Sequence, residues 1–180
     1  MRQSNMACFN DEKINKFLSC SETGYLGLFD GVYPYVVPMN FIWHEGAAYF
    51  HGADEGKKID IMKHNNRASL TVSESFGTIA DPVPARTDTA YMSVMIFGEI
   101  IFLQDLKEAT AVMQHMLDKY VPGYYETPLQ KSHVDKYRSS LGSKTVIYKL
   151  LPQNITAKEN PMNKEKSFFP GRTIHNDNGK

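Results

Sequence analysis

The segment from Tyr33 to Lys58, YPYVVPMNFIWHEGAAYFHGADEGKK, constrains the fold of this chain more than any other. Its first part alternates with a period of two, which predicts a β-strand with one buried face. Glu45-Gly46 then supplies a turn, and the chain returns as a short strand that ends at His51. The two strands lead into a helix start, Gly56-Lys57-Lys58, of a kind that can bind a phosphate.

The first of these strands is predicted to run from Tyr33 to Trp43. It contains Pro34 and Pro38, and each proline removes a backbone donor from the sheet ladder. We therefore expect this strand to lie at an edge of the sheet or to bend near Pro38.

Composition places the chain among ordinary globular proteins. It has 180 residues, 42% of them hydrophobic, with 20 basic against 20 acidic side chains. This balance argues against a general nucleic-acid binder, which needs a basic surface. The sequence contains neither an apolar run long enough for a membrane span nor a signal-peptide core, so we expect no membrane contact and a cytoplasmic location.

The remaining pattern predicts short elements along one domain. Helices are predicted over about residues 11–20, 55–64 with Asp54 as N-cap, and 105–120; strands are predicted over about 24–29, 47–52, 68–72, 91–103 and 145–151. Gly and Pro in residues 73–89 predict a long loop. Because the chain becomes polar after Pro152, we expect a domain over residues 1–157 and a polar C-terminal tail over 158–180.

The order of these elements indicates a mainly β fold. Hairpin-linked strands with a few interspersed helices, and no regular alternation of strand and helix, predict an antiparallel β-barrel with peripheral helices.

The helix start at Asp54–Lys58 is the first candidate binding site. Its free backbone N–H groups and the helix dipole favour an anion, a lysine adds a point charge, and Gly56 keeps the backbone approachable. A solvated helix start with two surface lysines has the same sequence, so the residues alone leave both interpretations open.

Three single residues are further candidates. His51 is either packed at its strand end or faces a ligand; a metal site is not expected, because no further ligands stand at metal spacing. Asn40 either reads the edge of a heteroaromatic ring or bonds its own backbone at a bulge. Ser93 begins a strand and can donate to a phosphate. Nucleotide-binding, nucleophile-elbow and paired-carboxylate motifs are absent from the sequence.

Several segments, matching in order, resemble the pyridoxamine 5′-phosphate oxidase-like flavoproteins, the FMN-binding split-barrel family. The resemblance covers about residues 1–157, and it is strongest to the nitroimidazole-resistance branch. The segments that carry it are Pro34–Phe41 (PYVVPMNF), Tyr49–Lys58 (YFHGADEGKK), the helix pattern Lys58-x-x-x-Met62-x-x-Asn65-x-Arg67 and Tyr91–Ile100 (YMSVMIFGEI).

The resemblance implies an antiparallel, Greek-key-like split barrel that forms a homodimer with FMN at the subunit interface. It implies three groups of cofactor contacts: Pro38, Met39 and Asn40 along the isoalloxazine; His51, Gly52 and Ala53 near the ring and ribityl chain; Lys58 at the phosphate, with help from Lys57 and Ser93. It also implies that His51 is linked to activity.

The function that the resemblance implies is electron transfer from NAD(P)H through FMN to a small electrophile such as a nitroaromatic. The segment Lys149–Pro152 (KLLP) lacks the arginine with which true pyridoxamine phosphate oxidases hold substrate, which argues against vitamin B6 oxidation. Two alternatives stay open: a non-catalytic carrier or sensor of FMN or haem, with His51 as haem ligand, and a flavin-free interaction protein.

Overall fold

The protein is mainly β, with one antiparallel sheet and helices around it. The computed structural model describes residues 4–138 and 142–177. The strands in these ranges are β1 (Thr23–Phe29), β2 (Pro34–Asn40), β3 (Ile42–His44), β4 (Ala47–Ala53), β5 (Arg67–Ile79), β6 (Asp88–Phe102) and β7 (Thr145–Asn160). The helices are α1 (Asp11–Cys20), α2 (Lys57–His64), α3 (Leu106–Tyr120), α4 (Lys131–Lys136) and α5 (Ile174–Asp177), with 3₁₀ turns at Ser4–Met6, Pro84–Arg86 and Lys164–Lys166.

The sheet closes on itself as a split barrel. Its strand order is β2-β1-β5-β6-β7-β4-β3, so β2 and β3 occupy opposite edges. Only Phe41 separates these two strands along the chain. Because one extended residue spans about 3.3 Å, the sheet must curl until its two edges meet at Phe41.

The single strand predicted over Tyr33 to Trp43 is therefore wrong, because the chain changes sheet edge at Phe41. The predicted edge position is confirmed, since β2 pairs only with β1 among the described strands. The corner itself is held by α3. The Phe41 N–H donates to the Tyr120 hydroxyl at 3.0 Å, and Lys119 Nζ donates to the Phe41 carbonyl at 3.0 Å.

The loop predicted over residues 73–89 is also wrong. β5 continues to Ile79 and β6 already begins at Asp88, so the connection is much shorter. Gly77 lies at a register shift between the two strands and has φ 116°, a left-handed conformation that glycine adopts readily. β7 likewise runs beyond the predicted Leu151, to Asn160, and residues 166–168 then bond to the end of β5. The division into a domain and a tail stays a prediction.

The barrel interior contains one buried polar atom without a partner. Tyr148 is fully buried, and its ring centroid lies 5.4 Å from that of Phe50 and 5.7 Å from that of Phe102. Its hydroxyl has no hydrogen-bond partner within the described residues, and burial raises the pKa of the phenol. An unpaired buried hydroxyl destabilises a fold by about 1–3 kcal/mol.

We therefore expect Tyr148→Phe to raise the free energy of unfolding by about 1 kcal/mol, because the substitution removes the unpaired hydroxyl and keeps the ring. Urea unfolding of the two proteins under identical conditions measures the difference. A loss of stability in the variant would mean that the hydroxyl has a partner in solution.

Candidate functional site

Lys58 is the centre of the candidate site. Its Nζ lies 3.4 Å from Met39 Sδ, and a Cβ added at Gly52 would approach it to 3.2 Å. The ammonium forms no salt bridge with any described residue, and desolvation lowers its pKa. A partly buried cation without a counter-ion gains from binding an anion, because the anion would offset the cost of desolvation.

The start of α2 is open next to this lysine. Asp54 was expected to cap the helix, but the structure contradicts this: Gly56 is the N-cap, at φ 101°, and the cap has no side-chain hydrogen bond. Asp54 instead donates its backbone N–H to the carbonyl of Lys144 at 2.9 Å. The Ile59 N–H donates to the Gly56 carbonyl at 2.8 Å, so the N–H groups of Lys57 and Lys58 are the ones that can bind an anion together with the Lys58 ammonium.

Lys57 is held away from this position by a carboxylate. Its Nζ lies 3.0 Å from Asp30 Oδ2 and 5.4 Å from the centroid of the Tyr35 ring. Backbone N–H donation from Tyr33, the Lys57 ammonium and the Val32 N–H together lower the pKa of Asp30 to about 2. Lys57 is thus neutralised within the chain, in contrast to Lys58.

His51 lies on the face of β4 that packs against α3. Its Nδ1 is 3.1 Å from Met116 Sδ, in the second half of that helix. The side chain keeps an exposed surface, but the surrounding protein desolvates the ring and lowers its pKa from 6.5. The nearby Lys58 charge lowers the pKa further. The next residues, Gly52 and Ala53, complete the strand by pairing with β7.

We predict that His51 makes stability depend on pH. Its pKa is lower in the folded protein than in the unfolded chain, so protonation favours unfolding. This contribution is absent well above pH 6.5 and grows as the pH falls through that value. From about pH 8 to about pH 5, the wild type should therefore lose more free energy of unfolding than His51→Gln. Urea unfolding across this range measures the difference, and parallel curves for the two proteins would contradict the prediction.

Three predicted contacts lie on strands rather than at the start of α2. Pro38 and Asn40 project from the exposed face of β2, and Ser93 is partly exposed on β6. Ser93 lies on β6, three strands across the sheet from Met39, the β2 residue that contacts Lys58. Neighbouring strands are about 4.8 Å apart, so these two positions are about 14 Å apart across the sheet. Ser93 and Lys58 are therefore not in direct contact in the described structure.

The outer face of the sheet carries an apolar surface that the sequence patterns did not reveal. Its exposed side chains, here called the outer apolar face, are Tyr25, Phe29, Val36, Met95 and Phe97. Neighbouring strands align Tyr25 with Thr71 and Met95 in one row, and Gly27 with Ser69 and Phe97 in the next. The signal in the sequence is that β1 and β6 have apolar residues at both parities, so neither of their faces is fully polar. A contiguous exposed apolar surface marks an interaction site.

The family follows from a comparison of the sequence with protein-family profiles. The profile for pyridoxamine 5′-phosphate oxidase matches residues 10–159. The chain belongs to this family. The match spans all seven strands except the last residue of β7, together with helices α1 to α4. No curated protein sequence matches the chain.

Solved structures share the fold of this pyridoxamine 5′-phosphate oxidase family member at low identity. The flavocytochrome Anf3 from Azotobacter vinelandii aligns with a TM-score of 0.75 at 20% identity, over 96% of this chain and 79% of the other. A putative 5-nitroimidazole antibiotic resistance protein from Bacteroides thetaiotaomicron aligns with a TM-score of 0.66 at 21% identity, over 85% of this chain and 86% of the other. A FAD- and heme-binding protein from Mycobacterium smegmatis aligns with a TM-score of 0.70 at 14% identity, over 89% of this chain and 77% of the other. These likenesses establish the split-barrel fold.

The described residues, 4–138 and 142–177, contain no cluster of three or more His, Cys, Asp or Glu side chains arranged to hold a metal ion. Nor does any helix in them have the length and apolar character needed to cross a membrane.

Proposed function

We propose that this member of the pyridoxamine 5′-phosphate oxidase family is a flavoprotein that binds FMN through Lys58. The observation that carries the proposal is the unpaired, desolvated Lys58 ammonium beside the open start of α2. A phosphate monoester suits this site, because it accepts hydrogen bonds from both the ammonium and the helix N–H groups. The structurally similar proteins whose names mention a flavin support a flavin as the bearer of that phosphate.

We further propose that the site is completed in a homodimer. Within one chain, Pro38 and Asn40 project from the face of β2 opposite to Met39, the residue that contacts Lys58, and Ser93 lies on β6. The outer apolar face adjoins these exposed residues and would be buried by a second copy. A twofold axis through this face would place the same exposed residues of both chains in one interface.

The proposed reaction is electron transfer in the cytoplasm, where the free thiols Cys8 and Cys20 are compatible with a reducing environment. Bound FMN supplies hydride and electron-transfer chemistry, which would carry electrons from NAD(P)H to a small electrophile such as a nitroaromatic. In this proposal Met39 and Asn40 border the ring. His51, neutral at pH 7, would present Nε2 to the ligand, because Nδ1 contacts Met116.

Vitamin B6 oxidation is disfavoured by the contacts of Lys149. Its Nζ lies 2.8 Å from Glu108 Oε1 and 5.5 Å from the centroid of the Tyr49 ring. The basic residue that occupies the segment Lys149–Pro152 is therefore already paired within the chain and is poorly suited to hold a second phosphate.

A non-catalytic carrier or sensor is the second candidate, and the flavocytochrome-like structures suggest haem as its ligand. His51 and Met116 are chemically suitable axial ligands. Their 3.1 Å separation, however, leaves no space for a haem plane between them. This contact favours the flavin proposal over haem ligation by this pair.

Spectroscopy of the purified protein tests the proposal. We expect a flavin spectrum without a Soret band, bleaching by NADH or NADPH under anaerobic conditions, and reoxidation by a nitroaromatic acceptor. A Soret band would favour the haem alternative. If the protein binds a flavin that neither NADH nor NADPH reduces, the result would favour a non-catalytic carrier. The absence of any flavin binding would overturn the proposal.

A further inference from the structure

A cavity of about 350 Å³ lies between α3, the connection that follows it, and α4. Its walls are largely apolar, with Met113 and Leu117 from α3, Leu129 from the connection and Val134 from α4. This volume is at the lower end of the range for small-molecule sites. It suits a ligand of one or two rings.

The polar side chains of the cavity are hydroxyl groups and one imidazole. They come from Tyr125, Thr127, His133, Tyr137 and Thr145, and none of the described Asp, Glu, Lys or Arg side chains lines the cavity. None of their side chains hydrogen-bonds to another described residue. A lining of this kind favours a neutral ligand with acceptor oxygens, since a charged ligand would lose its hydration without gaining a counter-ion.

The cavity adjoins the candidate flavin site. Thr145 lines it and is the strand partner of Ala53, and Met113 and Leu117 flank Met116, the residue in contact with His51. A ligand in the cavity would therefore contact the helix turn that supports His51.

We infer that this cavity is a binding site for a neutral aromatic molecule of one or two rings that carries acceptor oxygens. The inference goes beyond FMN binding and does not depend on it, because none of the cavity residues belongs to the proposed cofactor contacts. It assigns a second ligand to the protein, beside the cofactor.

Binding of para-nitroanisole, a neutral one-ring probe, tests the inference. Titration without any reductant, followed by NMR or calorimetry, is carried out on both FMN-free and FMN-loaded protein. We expect saturable binding below about 1 mM in at least the FMN-free form, and binding of the anionic para-nitrobenzoate that is weaker by about tenfold. No saturable binding of the neutral probe, or equal binding of the anion, would overturn the inference whether or not the protein binds FMN.

Two variants localise the binding. Leu129→Trp fills the cavity, and we expect the affinity for para-nitroanisole to fall by at least about tenfold. Tyr125→Ala removes one wall at a side chain that is 57% exposed, so the fold should persist while affinity falls by about fivefold. Lys131→Ala, at an exposed position of α4, is the matched control and should bind as the wild type does. Unchanged affinity in a folded Leu129→Trp or Tyr125→Ala protein would place the probe elsewhere and refute the assignment.

Discussion

Lys58→Ala should bind FMN about 10- to 100-fold more weakly than the wild type. A hydrogen bond to a charged group contributes about 1.5–3 kcal/mol, and each 1.4 kcal/mol corresponds to a factor of about ten in affinity. The effect should be in the upper part of this range, because the ammonium is desolvated and no described carboxylate competes with the phosphate for it. Fluorescence quenching of FMN during titration of the apoprotein measures the dissociation constants.

Controls separate a loss of the phosphate contact from general damage. Lys63→Ala changes an exposed lysine of the same helix and should leave the affinity unchanged. Lys57→Ala should have a smaller effect than Lys58→Ala, since Lys57 is paired with Asp30. Riboflavin, which lacks the phosphate, should bind wild type and Lys58→Ala equally. Wild-type FMN affinity in Lys58→Ala would show that the phosphate assignment is wrong.

Gly98→Ala should lower the free energy of unfolding by at least about 3 kcal/mol, the upper part of the range for overpacking. A Cβ at this position would lie 2.0 Å from the Leu151 carbonyl oxygen and 2.9 Å from its carbon. Both are backbone atoms of the neighbouring strand β7, so only a shift of the β6–β7 ladder could relieve the clash. Urea unfolding gives the difference in free energy.

The control for Gly98 is another strand glycine, Gly27, on β1. A Cβ there would meet the Ser69 Oγ at 2.7 Å, and a serine side chain can rotate away. Gly27→Ala should therefore cost about 1 kcal/mol, much less than Gly98→Ala. Equal losses of stability in the two variants would contradict the prediction, because they would mean that the β7 backbone shifts as easily as the Ser69 side chain rotates.

The elements with a clear local signal were predictable from sequence. Asn10 and Asp105 cap α1 and α3, each by accepting a backbone N–H, and both are residue types that favour an N-cap. Gly98 lies at a register shift between β6 and β7, and a glycine inside a strand pattern is the usual sequence signal of such an irregularity. The turn at Glu45-Gly46 has positive φ at both residues, as a two-residue hairpin requires.

Barrel closure at Phe41 was not predictable from local pattern. Apolar alternation continues through this residue, and nothing in the segment itself signals that the next strand pairs at the other sheet edge. The corner depends on Lys119 and Tyr120, which lie almost 80 positions further along the chain. Similarly, residues 73–79 are too polar to suggest a strand by themselves, and their pairing with β6 supplies the missing stabilisation.

The candidate site was predictable in its residue types but not in their grouping. The residues of the helix start do not distinguish Lys57 from Lys58, and the resemblance gives Lys58 the phosphate with help from Lys57. In the structure the two lysines differ because Lys57 pairs with Asp30, which lies between β1 and β2. The resemblance also grouped Ser93 with Lys58, although Ser93 lies on β6, three strands across the sheet from Met39, the residue that contacts Lys58. In the proposed dimer, the surfaces of two molecules decide which residues share a site. The residue pattern of a single strand does not contain this information.

Native mass spectrometry of the purified protein with excess FMN tests the proposed dimeric FMN site, because it reports subunit number and bound cofactor together. We expect a dimer that carries two FMN molecules, and loss of FMN from the same dimer in Lys58→Ala. A wild-type protein that takes up no FMN, or a monomer that binds FMN as tightly as the dimer does, would contradict this proposal.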